Sequence, residues 1–384
     1  MIESIIIGFL ASVIAVAWVH PYLVKIAHLK NIVDNPNARK LQRIPIPILG
    51  GLAVFFGVVL GIGITNLHVD CSPLMIIVTA MMIMLYLGAF DDVLELSPSI
   101  RFVLEIGVVL LLIFSTKLYI EDFHGLWGIS TIDSCIAIPL TVFAAVGIIN
   151  AINLIDGVDG LSSGYCIMAS VAFGTFFYIT ENQNMLILAA TAAGSLIPFF
   201  LHNVFGKTSK MFIGDSGTLV MGIILSTFVV NTISIKGPAE LLVGDNFGFI
   251  PFTLAVMSIP IFDTLRVMTS RILRHTSPFH PDKTHLHHLF IDFGFSHAGT
   301  TVSILTINSL IILMQWLTWK LGGSVDVQLY VVIALGILST WGLYHFAQPE
   351  KDCCICKILK RLGKLSHIER KGAFLTLQKF IDKI

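Results

Sequence analysis

Long apolar runs separated by short polar stretches make up most of the chain. Each run is close to the ~20 residues that cross the hydrocarbon core of a bilayer as an α-helix. Eleven such runs are present, at about 4–24, 48–66, 73–90, 102–118, 134–152, 162–180, 185–202, 214–235, 247–265, 299–319 and 327–347. The pattern therefore predicts an all-α polytopic membrane protein with about eleven transmembrane helices.

Composition agrees with this prediction, and charge adds an orientation. Of the 384 residues, 55% are hydrophobic and 12% are charged, whereas charged residues make up about a quarter of an ordinary soluble domain. When alternate loops are assigned to the two faces, all of the 24 lysines and arginines fall on one face except Lys117, Lys236 and Lys320. Basic loops stay in the cytoplasm, so we expect the N-terminus outside, the C-terminus inside and a location in the plasma (inner) membrane.

Two parts of the chain are expected: a transmembrane domain over 1–347 and a basic, amphipathic cytoplasmic tail over 348–384. The alternation of basic and apolar residues in the tail fits helices on an anionic leaflet, and a solvated helical tail is the alternative. Cys353, Cys354 and Cys356 cluster at its start. A zinc site would need a fourth ligand there, and lipidation or no special role are the alternatives.

Polar side chains collect where the spans meet the predicted cytoplasmic face. Carboxylates are costly in or near hydrocarbon, so a cluster at the end of a span usually has a function. The set comprises Asp91 and Asp92 after the third span, Asn150, Asn153, Asp156 and Asp159 after the fifth, His202 and Asn203 after the seventh, Asp215 at the start of the eighth, and Arg266, Arg271, Arg274, His280, His285, His287 and His288 after the ninth. Carboxylates, histidines and arginines at one depth predict a single site.

Phosphoryl transfer is the chemistry that suits such a set. Mg²⁺ prefers oxygen ligands and keeps several waters, so one or two carboxylates hold it against substrate phosphates. Catalysis then needs mainly positioning and neutralisation of charge.

Each motif also has a plainer interpretation. The Asp91–Asp92 pair is compatible with a solvated helix cap, and Gly214-Asp215-Ser216-Gly217 with an N-cap as well as with a phosphate-binding helix start. The histidine pattern His285-x-His287-His288 fits zinc or a pyrophosphate.

Five motifs in order resemble the polyprenyl-phosphate N-acetylhexosamine-1-phosphate transferases, over about residues 34–295. The resemblance is closest to the branch that uses UDP-N-acetylglucosamine. The signals of this branch are the segments Asp34-x-Pro36-Asn37-x-Arg39-Lys40, Pro45-x-Pro47-x-x-Gly50-Gly51 and Ser277-Pro-Phe-x-Pro-Asp-Lys-x-His-Leu-His-His.

The resemblance implies transfer of N-acetylglucosamine 1-phosphate from UDP-N-acetylglucosamine to undecaprenyl phosphate, with release of UMP. It implies Mg²⁺ as cofactor, with Mn²⁺ as an alternative ion, and an active site at the cytoplasmic face. Membrane lipids are the other expected partners, a homodimer is one oligomeric state that the family allows, and no nucleic acid is expected.

The resemblance also implies residue roles. The metal is expected on Asp215 and Asp156, and catalytic roles on Asp91, Asp92, Asp156, Asp159, His285, His287 and His288. Substrate binding is expected from Asn153, Asn203, Phe212, Arg266, Arg271, Arg39 and Lys40. One departure from the family is Gln42, where the pattern usually has a histidine, and glutamine carries no charge.

Two alternatives remain. The same chemistry with another UDP-N-acetylhexosamine or with the UDP-MurNAc-pentapeptide is one. A transporter or flippase is the other, although transporters place ionisable groups near the bilayer midplane and here only Glu105 stands out in mid-span. The glycan pathway and the choice between direct displacement and a covalent intermediate stay open.

Overall fold

The structure is a computed structural model that describes residues 2–35, 44–94, 96–244, 246–277, 283–348, 350–351, 353–367 and 373–382. Its helices are α1 (Ile2–Lys30), α2 (Gly50–Thr65), α3 (Met75–Leu94), α4 (Pro98–Thr116), α5 (Ser134–Leu154), α6 (Leu161–Ile179), α7 (Gln183–Phe205), α8 (Gly214–Ile233), α9 (Pro238–Leu241), α10 (Phe249–Val256), α11 (Ser258–Leu273), α12 (Leu286–Asp292), α13 (His297–Lys320), α14 (Val325–Ile337), α15 (Leu343–Phe346), α16 (Cys354–Leu365) and α17 (Ala373–Ile381). Two short strands, β1 (Val33–Asp34) and β2 (Ile46–Pro47), pair antiparallel.

The predicted all-α polytopic fold is confirmed, and every predicted span is helical. Within the described residues, nine helices are long and apolar enough to cross a membrane, and α10 with α11 makes a tenth if the bent pair is one span. The remaining predicted span is α2, whose 16 residues reach only about 24 Å at 1.5 Å per residue. The structure therefore supports nine or ten spans and does not establish the predicted eleven.

The ninth predicted span is not one straight helix, because α10 and α11 meet at a bend of 74°. A bend inside the membrane frees backbone groups, which need other partners there. The buried amide of Asn308 supplies them: it donates to the carbonyl oxygens of Ala255 and Val256 and accepts from the Ile259 N–H at 3.0 Å. The fold therefore stabilises this bend through the side chain of Asn308.

Helix α8 is the centre of the bundle, and 89% of its apolar segment is buried. Its first turn is in close backbone contact with α2, because a Cβ atom on Gly51 would lie 2.2 Å from the Gly217 nitrogen. The same test on Gly88 of α3 gives 2.3 Å to the Ser216 Cα atom. These glycines let α2 and α3 approach the first turn of α8, next to Asp215.

The tail helices pack onto the rest of the protein. On α16, Cys356 and Gly363 are buried, while Ile358, Leu362 and Leu365 form a separate, exposed apolar face. Cys353 and Cys356 are joined as a disulfide and Cys354 is exposed. The predicted contact of this tail with an anionic leaflet, and the division of the chain at residue 347, stay predictions.

Candidate active site

The first turn of α8 is capped by a side chain from α3. Asp92 accepts hydrogen bonds from the backbone N–H groups of Asp215, at 2.9 Å, and Ser216, at 3.3 Å. The capping carboxylate therefore comes from a distant part of the chain and not from the segment Gly214-Asp215-Ser216-Gly217 itself, and phosphate binding at this helix start stays a prediction. A carboxylate at a helix N-terminus is favourable because it meets unpaired N–H groups and the positive end of the helix dipole.

Arg101, at the start of α4, joins the carboxylates around this turn. Its guanidinium lies 3.0 Å from Asp91, 3.0 Å from Glu105 and 3.9 Å from Asp215. Glu105 is fully buried and also accepts from the Asn150 amide. One cation therefore serves three carboxylates, and the fourth, Asp92, is bonded to the α8 backbone.

The end of α5 adds amide and carboxylate groups to the same place. Asn153 donates to Asp215 at 2.7 Å and to the Thr218 hydroxyl at 2.8 Å, which orients the Asp215 carboxylate. Asp156 follows in the turn after α5, where its carboxylate accepts from the Ser162 hydroxyl at 2.5 Å.

Electrostatics around Asp156 favour a bound cation. Asp156 is exposed at the surface. The surrounding protein nevertheless limits solvation of its carboxylate and raises the pKa of Asp156 to about 7. The Ser162 hydrogen bond opposes this rise, whereas the negative charges of Asp215, Asp159 and Asp92 add to it. Like charges in one site are stabilised by a proton or a cation between them.

Asp159 is held from two sides by basic groups. Lys210, in the loop after α7, lies 2.6 Å from its carboxylate, and Nδ1 of His297, the first residue of α13, lies 2.8 Å away. Burial raises the pKa of Asp159, but the His297 hydrogen bond and the Lys210 charge outweigh it, so the pKa is lowered overall. Asp159 is therefore an ionised, paired group beside the crowded Asp156.

Asn203 and Phe212 lie next to this pair. The Asn203 side chain is buried, and both ends of its amide bind backbone: it accepts from the Gly160 N–H at 2.7 Å and donates to the Met211 oxygen at 2.9 Å. Asn203 thus fixes the turn that carries Asp159. Phe212 is half-buried under the Lys210 ammonium. Their expected contact with the uracil stays a prediction.

The histidine loop is organised by Asp263 of α11. Its carboxylate accepts from Arg266 at 2.7 Å, lies 2.9 Å from His285 Nδ1 and caps the start of α12 at the Leu286 N–H. Arg266 is 5% exposed and lies over the ring of Tyr344 at 4.1 Å. Its described contacts are therefore structural ones that hold the loop.

His287 connects this loop to the carboxylates, because its ring packs directly on Gly157, the residue after Asp156. Burial, together with the neighbouring His288 and His285, lowers the pKa of His287 to about 3. The ring is neutral at physiological pH, so it can exchange hydrogen bonds with a phosphate but adds no positive charge. Arg271 is likewise buried, and Arg39 and Lys40 lie outside the described residues.

A magnesium ion fits the donors at this site. Among the described residues, no three carboxylate, imidazole or thiol groups are grouped closely enough to hold a metal by themselves. Mg²⁺ needs fewer, since one or two carboxylates with waters and substrate phosphates complete its shell. Asp215 and Asp156 supply such oxygens, whereas the buried, mutually packed histidines are already engaged with Asp263 and Gly157.

One cavity in the described part of the chain lies away from these carboxylates. Its volume is about 610 Å³, and it is lined by Ser72, Thr116, Thr141, Asn182 and Asn231, near the ends of the helices remote from Asp91 and Asp215. Asp91, Asp156 and Asp215 do not line this cavity.

Several site residues were not predicted from the sequence. In the sequence, Arg101 is only one of the predicted cytoplasmic charges, and no specific role is predicted for Lys210 or His297. Asp263 lies within a predicted apolar span. Two signals were available: Arg101 and Glu105 are four residues apart on one helix, and Asp263 is a carboxylate within a predicted span.

Comparison with known proteins agrees with these motifs. A sequence model of glycosyl transferase family 4 matches residues 74–233. A probable undecaprenyl-phosphate N-acetylglucosaminyl 1-phosphate transferase of Bacillus subtilis (strain 168) is 30% identical over 374 residues, 94% of this chain and 97% of the relative.

Two enterobacterial relatives are named undecaprenyl-phosphate alpha-N-acetylglucosaminyl 1-phosphate transferase. The protein of Escherichia coli (strain K12) is 28% identical over 73% of this chain and 74% of its own length. That of Salmonella typhi is 25% identical over 91% of this chain and 92% of its own length. The chain belongs to glycosyl transferase family 4 and, within it, to the polyprenyl-phosphate N-acetylhexosamine-1-phosphate transferases.

Proposed function

We propose that this integral membrane protein transfers N-acetylglucosamine 1-phosphate from UDP-N-acetylglucosamine to undecaprenyl phosphate at the cytoplasmic face of the plasma membrane. The relatives' names supply the lipid acceptor and the transferred sugar phosphate, and the family resemblance supplies the UDP-linked donor. The observation that carries the proposal is the crowding of carboxylates around the start of α8, where Asp91, Glu105 and Asp215 share the single guanidinium of Arg101. Such a site has an excess of negative charge that a divalent cation would balance.

Asp215 and Asp156 would hold Mg²⁺ in this proposal. When bound, the ion supplies charge neutralisation and orientation for the diphosphate of the nucleotide sugar. Asn153 keeps the Asp215 carboxylate in place, and Ser162 does the same for Asp156. Arg101 leaves a fixed positive charge beside both Asp91 and Asp215.

The reaction needs no activation of the nucleophile by proton removal. An oxygen of the lipid phosphate, already anionic, attacks the β-phosphorus of the nucleotide sugar. The bond from that phosphorus to the bridging oxygen breaks, and UMP leaves with the electron pair. Direct displacement therefore accounts for the products without a covalent enzyme intermediate, and Asp91 serves to position charge beside Arg101.

Transport is disfavoured by the same geometry. Glu105, the buried carboxylate that stood out in mid-span, is bonded to Arg101 and Asn150 and so belongs to the carboxylate cluster. A transporter site would use ionisable groups at a break near the midplane, whereas the break between α10 and α11 is satisfied by the neutral amide of Asn308.

The test is a substrate panel in inverted membrane vesicles that contain undecaprenyl phosphate. We expect Mg²⁺-dependent UMP release and a labelled lipid product with UDP-N-acetylglucosamine, and loss of both with a chelator. Lipid product formed only with another UDP-N-acetylhexosamine or with UDP-MurNAc-pentapeptide would replace the proposed sugar. Equal activity in sealed right-side-out vesicles would contradict a cytoplasmic site.

A further inference from the structure

The last helix of the chain binds a loop that carries site residues. Asp382, at the end of α17, accepts hydrogen bonds from the backbone N–H groups of Lys207, Thr208 and Ser209 at 2.9–3.1 Å. It also accepts from the Ser209 hydroxyl at 2.9 Å. Four donors on one carboxylate oxygen make a specific contact, unlike a helix that merely lies on a surface.

This loop is anchored on its other side by two stacked histidines. The rings of His20 and His202 lie 4.1 Å apart; His20 is 2.8 Å from the Ser209 carbonyl, and His202 is 2.9 Å from the Ser209 hydroxyl. The next residue is Lys210, which pairs with Asp159. Ser209 is therefore fixed between the bundle and the tail immediately before a side chain of the site.

The other tail helix makes a second contact of the same kind. Ser366, after α16, accepts from the Ser296 N–H at 2.9 Å, and its backbone oxygen accepts from the Ser296 hydroxyl at 2.7 Å. Ser296 is the N-cap of α13, and His297, the next residue, is the second partner of Asp159.

We infer that the C-terminal tail is a strap that positions Lys210 and His297 on Asp159, with Asp382 and Ser366 as its positioning residues. The tail contacts Ser209 and Ser296, which directly precede Lys210 and His297. Both basic partners of Asp159 therefore depend on the docked tail. The strap acts on the geometry of the site and contacts no substrate itself.

The charge state of Asp382 agrees with this role. Partial burial raises its pKa, but the hydrogen bonds from Lys207, Ser209 and Thr208 outweigh that effect and lower the pKa overall. The carboxylate is thus ionised, and charge-assisted bonds of this kind are stronger than neutral ones.

The first test measures amide hydrogen exchange on the full-length protein and does not depend on activity. In Asp382→Ala we expect exchange at residues 207–209 to become roughly tenfold faster or more, because the local opening of the loop loses its acceptor. Ser366→Ala should do the same, more weakly, at 296–299. Lys379→Ala is the matched control, since it alters an exposed residue of the same helix, and should change neither segment.

The second test is kinetic and rests on the proposed function. We expect Asp382→Ala to raise KM for UDP-N-acetylglucosamine about tenfold, as small displacements of positioned groups do, and Asp382→Asn, which keeps an acceptor oxygen, to recover much of the loss. In a Lys210→Ala background the effect of Asp382→Ala should largely disappear.

The outcomes separate the two ideas. Unchanged exchange at 207–209 in Asp382→Ala would overturn the strap. Faster exchange with an unchanged KM, or full additivity with Lys210→Ala, would overturn its positioning role. A wild-type protein that transfers no sugar phosphate but shows the exchange effects would refute the proposed function and leave the docked tail standing.

Discussion

Charged side chains are paired differently at the two ends of the helical bundle. At the end that carries the loops after α4 and α8, two carboxylates each have one basic partner: Glu121 pairs with Lys236, and Glu240 lies beside His124, whose other ring nitrogen bonds to the Ile233 oxygen. Each pair has water on at least one side, because Lys236 is 55% and Glu240 43% exposed. Exposed pairs of this kind contribute little to the free energy of unfolding.

At the other end the charges are mismatched. Arg101 serves three carboxylates, one of them the fully buried Glu105, and Asp156 has a pKa raised to about 7. Selection for stability alone would favour paired charges, because a buried excess of negative charge destabilises the folded protein. A charge imbalance that the fold tolerates indicates a site that ligands complete.

The largest expected effect comes from removing one charge at the mismatched end. Asp215→Asn keeps the shape and the Asn153 contact but removes the oxygen charge proposed to hold the metal, so we expect UMP release to fall at least about a thousandfold. The protein should unfold at the same temperature or a higher one, because repulsion with Asp156 is relieved.

The matched control is a carboxylate of the other end. Asp326 accepts from the Trp127 N–H at 2.8 Å, and Asp326→Asn keeps an acceptor for that bond. Its activity should equal that of the wild type in the same vesicle assay. Full activity in Asp215→Asn, or equal losses in both variants, would refute the assignment of the metal to the start of α8.

The next effect is on stability and compares the two cations. Arg101→Met leaves Asp91, Glu105 and Asp215 without their shared partner, and breaking a buried ion pair costs about 3–5 kcal/mol. Lys236→Met breaks an exposed pair and should cost at most about 1 kcal/mol. Thermal unfolding in detergent, followed by tryptophan fluorescence, measures both. Similar midpoints for the two variants would contradict the buried, shared role of Arg101.

How much of the structure the sequence predicts depends on how far apart in the chain the contacting residues are. Helices follow from apolar runs, so all eleven predicted segments are helical. The bend between α10 and α11 could not be foreseen, because it depends on Asn308, about fifty residues away. A carboxylate at the end of a span is visible in sequence. That Asp92 caps α8 depends on where two distant helices meet.

The same limit applies to the basic residues. The sequence placed Arg101, Lys210 and Arg266 together on one face, and charge counting could go no further. The structure separates them: Arg101 and Lys210 contact site carboxylates, while Arg266 holds the histidine loop through Asp263. The pairing of Arg266 depends on Asp263, a carboxylate within an apolar run, and composition does not reveal such pairings.

The smallest effect concerns the link between the histidine loop and the carboxylates. His287 has a pKa of about 3 in the folded protein, against ~6.5 in an unfolded chain. The unfolded state therefore binds more protons between these values, so stability is complete above pH ~6.5 and is lost as pH falls toward 3.

His287→Gln removes this titration while keeping a polar side chain of similar reach against Gly157. We expect the wild type to lose about 2 kcal/mol more stability than the variant between pH 7 and pH 5, measured as the difference in unfolding midpoints. Parallel pH profiles would mean that the pKa of His287 is not lowered in the folded protein, so that its ring gains a proton as easily as a free histidine. It could then act as a cation toward phosphate, and the carboxylate end would be less mismatched than its geometry indicates.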